Sequence, residues 1–233
     1  ISMNHPFGVF VGLEEIADPE GMVMGTCHNL DQAQIYGAHL LEVGYAERVL
    51  NINSHLDLWD CLTAKGHLVT GIGTSDQHVT QEWPQFPNRQ VTWILAAEPT
   101  ESSLTAALRA GRVFFGDPTL SGDGAPSVDL MVPGRAVMGQ VLDELDGSTI
   151  EVQALVRGTH SQDEIHWVVN GEIVEVLTQL VNGATYTLDV TPEEWTAVRL
   201  EVWTRSQAAK FFSNPIYLST NVVDVPEERL PNP

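Results

Sequence analysis

An α/β region followed by an all-β region is the fold class this sequence predicts, and three observations carry it. Up to about residue 117, short apolar runs alternate with helix-patterned stretches, the mark of βα units around a parallel sheet. Beyond residue 126 the apolar period falls to two, as in strands with one buried face. Between them, residues 116–126 concentrate glycine, proline and aspartate with no apolar periodicity, which is breaker chemistry. The expected organisation is therefore an α/β domain over 1–117, a linker over 118–126, a β-sandwich over 127–220 and a polar, proline-bearing tail over 221–233.

Each element has its own warrant. Ser54 to Lys65 predicts a helix, with Ser54 as cap, Asp57 at its positive end and Gly66 as stop, so that Leu58, Cys61 and Leu62 share a face. Ser102 to Ala110 predicts another, with Leu104, Ala107 and Leu108 as its buried stripe and Gly111 ending it. His67 to Gly73 and Gln90 to Ala97 read as strands. In the second half, Ile150-Val152-Ala154-Val156, Ile165-Trp167-Val169, Ile173-Val176, Tyr186-Leu188-Val190 and Val198-Leu200-Val202 alternate as strands of an antiparallel sandwich of about seven. Asn170-Gly171 supplies the two positive φ values of a type I′ hairpin, and Asn182-Gly183 offers a similar turn.

The chain has 233 residues, with 31 acidic and 11 basic side chains, a net charge of −20 and 43 % hydrophobic residues. That is globular composition. Its charge repels phosphate backbones and anionic headgroups, which argues against nucleic acid and membrane surfaces as partners. Two cysteines, Cys27 and Cys61, are read as free thiols, with one bridge as the alternative, so the compartment, cytoplasmic or periplasmic and secreted, stays open. The opening Ile1-Ser2-Met3-Asn4-His5-Pro6 reads as a strand already running, and the expectation is that the start of a domain lies upstream.

Chemistry concentrates at three strand ends. In Gly71-Ile72-Gly73-Thr74-Ser75-Asp76-Gln77-His78 an apolar strand runs into an Asp and a His two apart, hence on one side of an extended chain. A carboxylate beside an imidazole suits Zn, Mn or Fe, and two ligands alone bind weakly. His5 ends another apolar run and is the best further donor, with Asn4 beside it to orient it. Glu42 is a carboxylate inside an apolar strand, costly without a cation or hydrogen bonds. His28 is a further rim candidate. His39, His55, His67, His160 and His166 read as structural. The metal candidates are thus His5, Asp76 and His78, and Glu42, Asn4 and His28 are candidates for ligand or supporting positions.

Asn4-His5-Pro6, Leu41-Glu42-Val43, Trp59-Asp60, Gly73 to His78 and Ala107 to Val113 resemble the later half of a PHP domain, the polymerase and histidinol phosphatase superfamily of metal-dependent hydrolases, in its CehA/McbA branch. The resemblance implies a partial PHP-type (β/α)7 barrel, akin to a TIM barrel, followed by an antiparallel β-sandwich. It also implies divalent metals held by His5, Asp76 and His78, and hydrolysis of phosphate esters or related small esters by metal-activated water. The His-x-His motif that opens such domains has no counterpart here, so this chain alone is expected to be a poor catalyst. Its open sheet edges predict a homodimer or a missing N-terminal half. Two alternatives stand beside the hydrolase: a non-catalytic scaffold or binding module, and a sandwich that binds carbohydrate or a protein through Trp167, Trp195 or Trp203.

Overall fold

The computed structural model describes residues 1–8, 18–45, 50–78 and 88–231. The first part is a parallel layer of β1 (Ser2–Met3), α1 (Pro19–Gln32), β2 (Leu40–Gly44), α2 (Ile52–Ala64) and β3 (Thr70–Gly73), in strand order β1-β2-β3. Met3 lies opposite Leu41, and Leu41 opposite Gly71. There follow β4 (Val91–Ile94), α3 (Glu101–Arg109), β5 (Val113–Gly116), β6 (Ser127–Val132), β7 (Ala136–Val137), β8 (Val141–Leu142), β9 (Ile150–Arg157) and β10 (Glu164–Val169). The chain continues with β11 (Glu172–Leu177), β12 (Thr185–Val190), β13 (Thr196–Trp203), β14 (Ala209–Ser213) and β15 (Ile216–Leu218).

The expected partial (β/α)7 barrel does not form, and the resemblance to a PHP or TIM-like barrel is corrected by this topology. Among the described residues the α-helices are three and short, and the parallel layer stops at three strands. β4 pairs antiparallel with β5, Trp93 opposite Phe114, and β5 pairs antiparallel with β14. One reason lies in Gly44 and Gly73, which present no side chain where a barrel interior needs filling. Phe115 of β5 fills that space, so close that a Cβ on Gly44 would sit 2.7 Å from its ring. The fold is mainly β sheet.

β4 and β5 join an eight-stranded sheet of order β11-β10-β13-β14-β5-β4, with β15 pairing both β13 and β8. A four-stranded sheet, β12-β9-β6-β7, packs against it. Alternation decides what faces inward: Val128 and Leu130 of β6 and Val152, Ala154 and Val156 of β9 meet Ile165, Trp167, Leu200 and Phe211 in one apolar core. Trp167 is fully buried, Trp203 nearly so, and Trp195 stacks on Tyr217 while donating to the Thr63 carbonyl, so none of the three forms an exposed binding face.

α2 begins two residues before the expected start. Asn51, not Ser54, is its cap, the Asn51 side-chain oxygen Oδ1 accepting from the Ser54 amide at 3.2 Å. α3 begins one residue early, capped by Thr100. Val23, Cys27 and Leu30 form the buried stripe of α1 at i, i+4 and i+7 and face α2. That contact joins Cys27 to Cys61 as a disulfide, replacing the expected pair of free thiols. The Asn170-Gly171 hairpin between β10 and β11 has both φ values positive, 50° and 86°.

Two buried polar ties fix the parallel layer to the large sheet. Asn214 brackets Gly71, accepting from its amide at 2.8 Å and donating to its carbonyl at 2.9 Å and to the Val113 carbonyl at 2.8 Å. Arg199 of β13 reaches across to Asp60 of α2 at 2.5 and 2.6 Å and to Glu201 at 2.6 Å. No helix among the described residues is long and apolar enough to cross a membrane.

Candidate functional site

The carboxyl ends of β1, β2 and β3 lie side by side because the three strands are parallel neighbours, and ligand sites of α/β layers form at such ends. β1 delivers His5 just past its end, β2 carries Glu42, and β3 runs through Thr74 to Asp76 and His78. A register shift between Glu42 and Gly44, where β2 meets β3, re-aims the chain at this place.

Glu42 is buried, 1 % exposed, and its oxygens are satisfied. The Thr74 hydroxyl donates to Oε1, and the His5 amide donates to Oε2 at 2.7 Å. The His5 ring adds a third contact, its Nδ1 2.9 Å from the same Oε2. Two lone pairs would repel at that separation, so the proton belongs on Nδ1 and the Nε2 lone pair is left for the pocket. Nε2 faces Asp76 Oδ1 at 3.7 Å, too far for a hydrogen bond. His78 Nε2 sits 3.0 Å from the same oxygen.

His5 Nε2 and His78 Nε2 thus both lie near Asp76 Oδ1. Donors about 2.1 Å from an ion in a tetrahedral shell stand roughly 3.4 Å apart, and the two separations here bracket that value. Among the described residues no group of three or more His, Cys, Asp or Glu side chains is placed so that it could hold a metal ion. His78 is the loose member, its side chain 84 % exposed against 14 % for Asp76. His5 and Asp76 both hold left-handed backbone, φ 50° and 48°, which costs an L-residue about 1–2 kcal/mol.

Of the secondary candidates, Glu42 is in the pocket as the group that orients His5. Asn4 turns away, accepting from the Ser2 hydroxyl at 2.7 Å. His28 lies on the exposed side of α1, and no hydrogen bond or ion pair joins it to the pocket among the described residues. Sequence reasoning passed over three others. Thr74 and Tyr45, whose hydroxyl lies 3.5 Å from Asp76 Oδ2, both follow strand ends, a positional signal that applies to any polar residue there. His55, on the first turn of α2, is buried against Phe7 and Tyr45, and burial pulls its pKa down to about 4. It is a neutral imidazole at neutral pH, with no partner for Nδ1.

No family profile matches the chain, and no curated protein matches it. Among solved structures it is similar to the solution NMR structure of a CARDB domain from Pyrococcus furiosus, at 12 % identity, over 41 % of this chain and 95 % of that one, with a TM-score of 0.29. The resemblance to a PHP domain implies a barrel, and the topology shows a three-stranded parallel layer and antiparallel sheets in its place.

Proposed function

We propose that this chain is a binding module whose pocket of His5, Asp76 and His78 takes one divalent transition-metal ion, with Glu42 holding His5 in the ligating tautomer. The observation that carries this reading is that two imidazole Nε2 atoms approach one Asp76 oxygen from different strand ends, at 3.7 and 3.0 Å. Two nitrogens and a carboxylate oxygen favour zinc over magnesium or calcium, which prefer all-oxygen shells. Metal binding needs an ionised carboxylate and an unprotonated imidazole nitrogen, so affinity falls as pH drops. The buried acid under His5 repeats the carboxylate–histidine pairing that raises ligand basicity at metal centres. Support also comes from the left-handed backbone of His5 and Asp76, since such strain gathers at ligand sites.

Isothermal titration of the full chain with zinc chloride tests this. The reading expects one saturable equivalent, weakened at least tenfold in His5→Ala and in Asp76→Asn. Equal affinity in the wild type and both variants, or no binding, overturns it.

A further inference from the structure

β11 is an edge strand that overhangs the layers beside it. A strand packed on one face buries every second residue, yet Glu172 to Val176 are all exposed, and Ile173, Val174 and Val176 keep 55 %, 51 % and 49 % of their surface. β10 pairs with its inner edge, and no described strand pairs with the outer one. The register jumps from Ile173 opposite Val168 to Glu175 opposite Trp167, leaving Val174 unopposed. The strand carries no lysine or proline, residues that commonly blunt such an edge.

Beside this edge, a cleft of about 360 Å³ opens between α2 and the β10–β11 hairpin, with Ile173 on its rim. Asp57, Asp60 and Glu201 line it, and the basic groups there are Arg199 and His166. Arg199 is committed to Asp60 and Glu201 by three bonds of 2.5–2.6 Å, so its charge is already matched and Asp57 is in surplus. An apolar free edge flanked by surplus negative charge has a defined complement.

We propose that the outer edge of β11 docks an extended segment of a partner protein that alternates apolar and basic residues. The segment adds a strand to the sheet, its apolar residues cover Ile173 and Val176 on one face, and its lysines or arginines meet Glu172 and Glu175 on the other. A second copy of this chain fits poorly, because antiparallel pairing of β11 with itself brings Glu172 and Glu175 of two chains together, each chain carrying a net charge of −20. The inference stands apart from the cation pocket, which draws on other strand ends.

The test uses the full chain and a fluorescent, end-capped ten-residue peptide of alternating valine and lysine. Anisotropy is expected to show saturable binding, weakened at least tenfold by Glu175→Lys and by Val176→Ser, and changed less than twofold by Glu151→Lys on the opposite sheet. Amide exchange of residues 172–177 is expected to slow at least tenfold on peptide addition. No binding, equal weakening by Glu151→Lys, unchanged exchange at β11, or protection that grows with protein concentration in the absence of peptide each overturns the proposal, the last in favour of a second copy.

Discussion

His5 and Glu42 meet twice at one atom: the His5 amide and the His5 ring both reach Glu42 Oε2, at 2.7 and 2.9 Å. One buried carboxylate thereby fixes where the residue sits and which way its imidazole turns. What remains of His5 for chemistry is Nε2, directed at Asp76.

Glu42→Gln is expected to lower zinc affinity tenfold or more, in the range lost when a carboxylate supporting a metal-bound histidine is removed. The side chain keeps its shape but no longer fixes the Nδ1 proton. Isothermal titration of wild type and variant at one pH measures it, and the His5 ring should show a changed tautomer balance by nitrogen NMR shifts.

Asp76→Gly separates binding from folding. Glycine takes a φ of 48° without the Cβ penalty, so relief of about 1 kcal/mol offsets lost side-chain bonds while the central donor disappears. Cation binding is expected to vanish with a denaturation midpoint close to wild type, checked by urea unfolding alongside titration.

Cys27 and Cys61 close a loop with a sequence separation of 34. Replacing both with serine is expected to cost about 3–4 kcal/mol of unfolding free energy by the loop-entropy relation, read from guanidinium unfolding. The wild type should lose a similar amount on reduction.

Arg199 lies buried between Asp60 and Glu201, and Arg199→Met leaves two buried carboxylates without their counter-charge. A loss of about 3–5 kcal/mol is expected in chemical denaturation. Glu201 supplies a pH dependence. Burial alone would raise its carboxyl, but the Arg199 charge, with the His166 ring 3.7 Å away and a bond from the Trp203 indole, holds it down to about 2 against an ordinary 4.5. A depressed carboxyl stabilises the fold above the unfolded value and loses that contribution as pH falls from 4.5 through 2. The stability gap between wild type and Glu201→Gln should therefore narrow across that window.

Much of this was legible locally and little of it globally. The Asn170-Gly171 hairpin and the alternation in β9, β10 and β13 were legible because each depends on neighbouring residues alone. Which way β4 turns was not. A run such as Val91 to Ile94 reads the same in a parallel barrel or an antiparallel sheet, and the outcome depends on Phe115 filling the space over Gly44 and on Asn214 clamping β3 from over 140 residues away. That His5, Glu42 and Asp76 would lie near one another was suggested by three polar strand ends. His55 was not, because a histidine near a helix start carries no mark of what packs over it. The exposure of β11 was equally hidden: Ile173 and Val176 look like core residues until the layers they overhang are known.

The central claim is that one ion sits between His5 Nε2 and Asp76 Oδ1, and diffraction from zinc-soaked crystals measured on both sides of the zinc absorption edge tests it most directly. The account predicts a single strong anomalous peak about 2.1 Å from both atoms, with the His78 ring drawn in beside it. A peak elsewhere on the chain, with no density between His5 and Asp76 at saturating zinc, would contradict it.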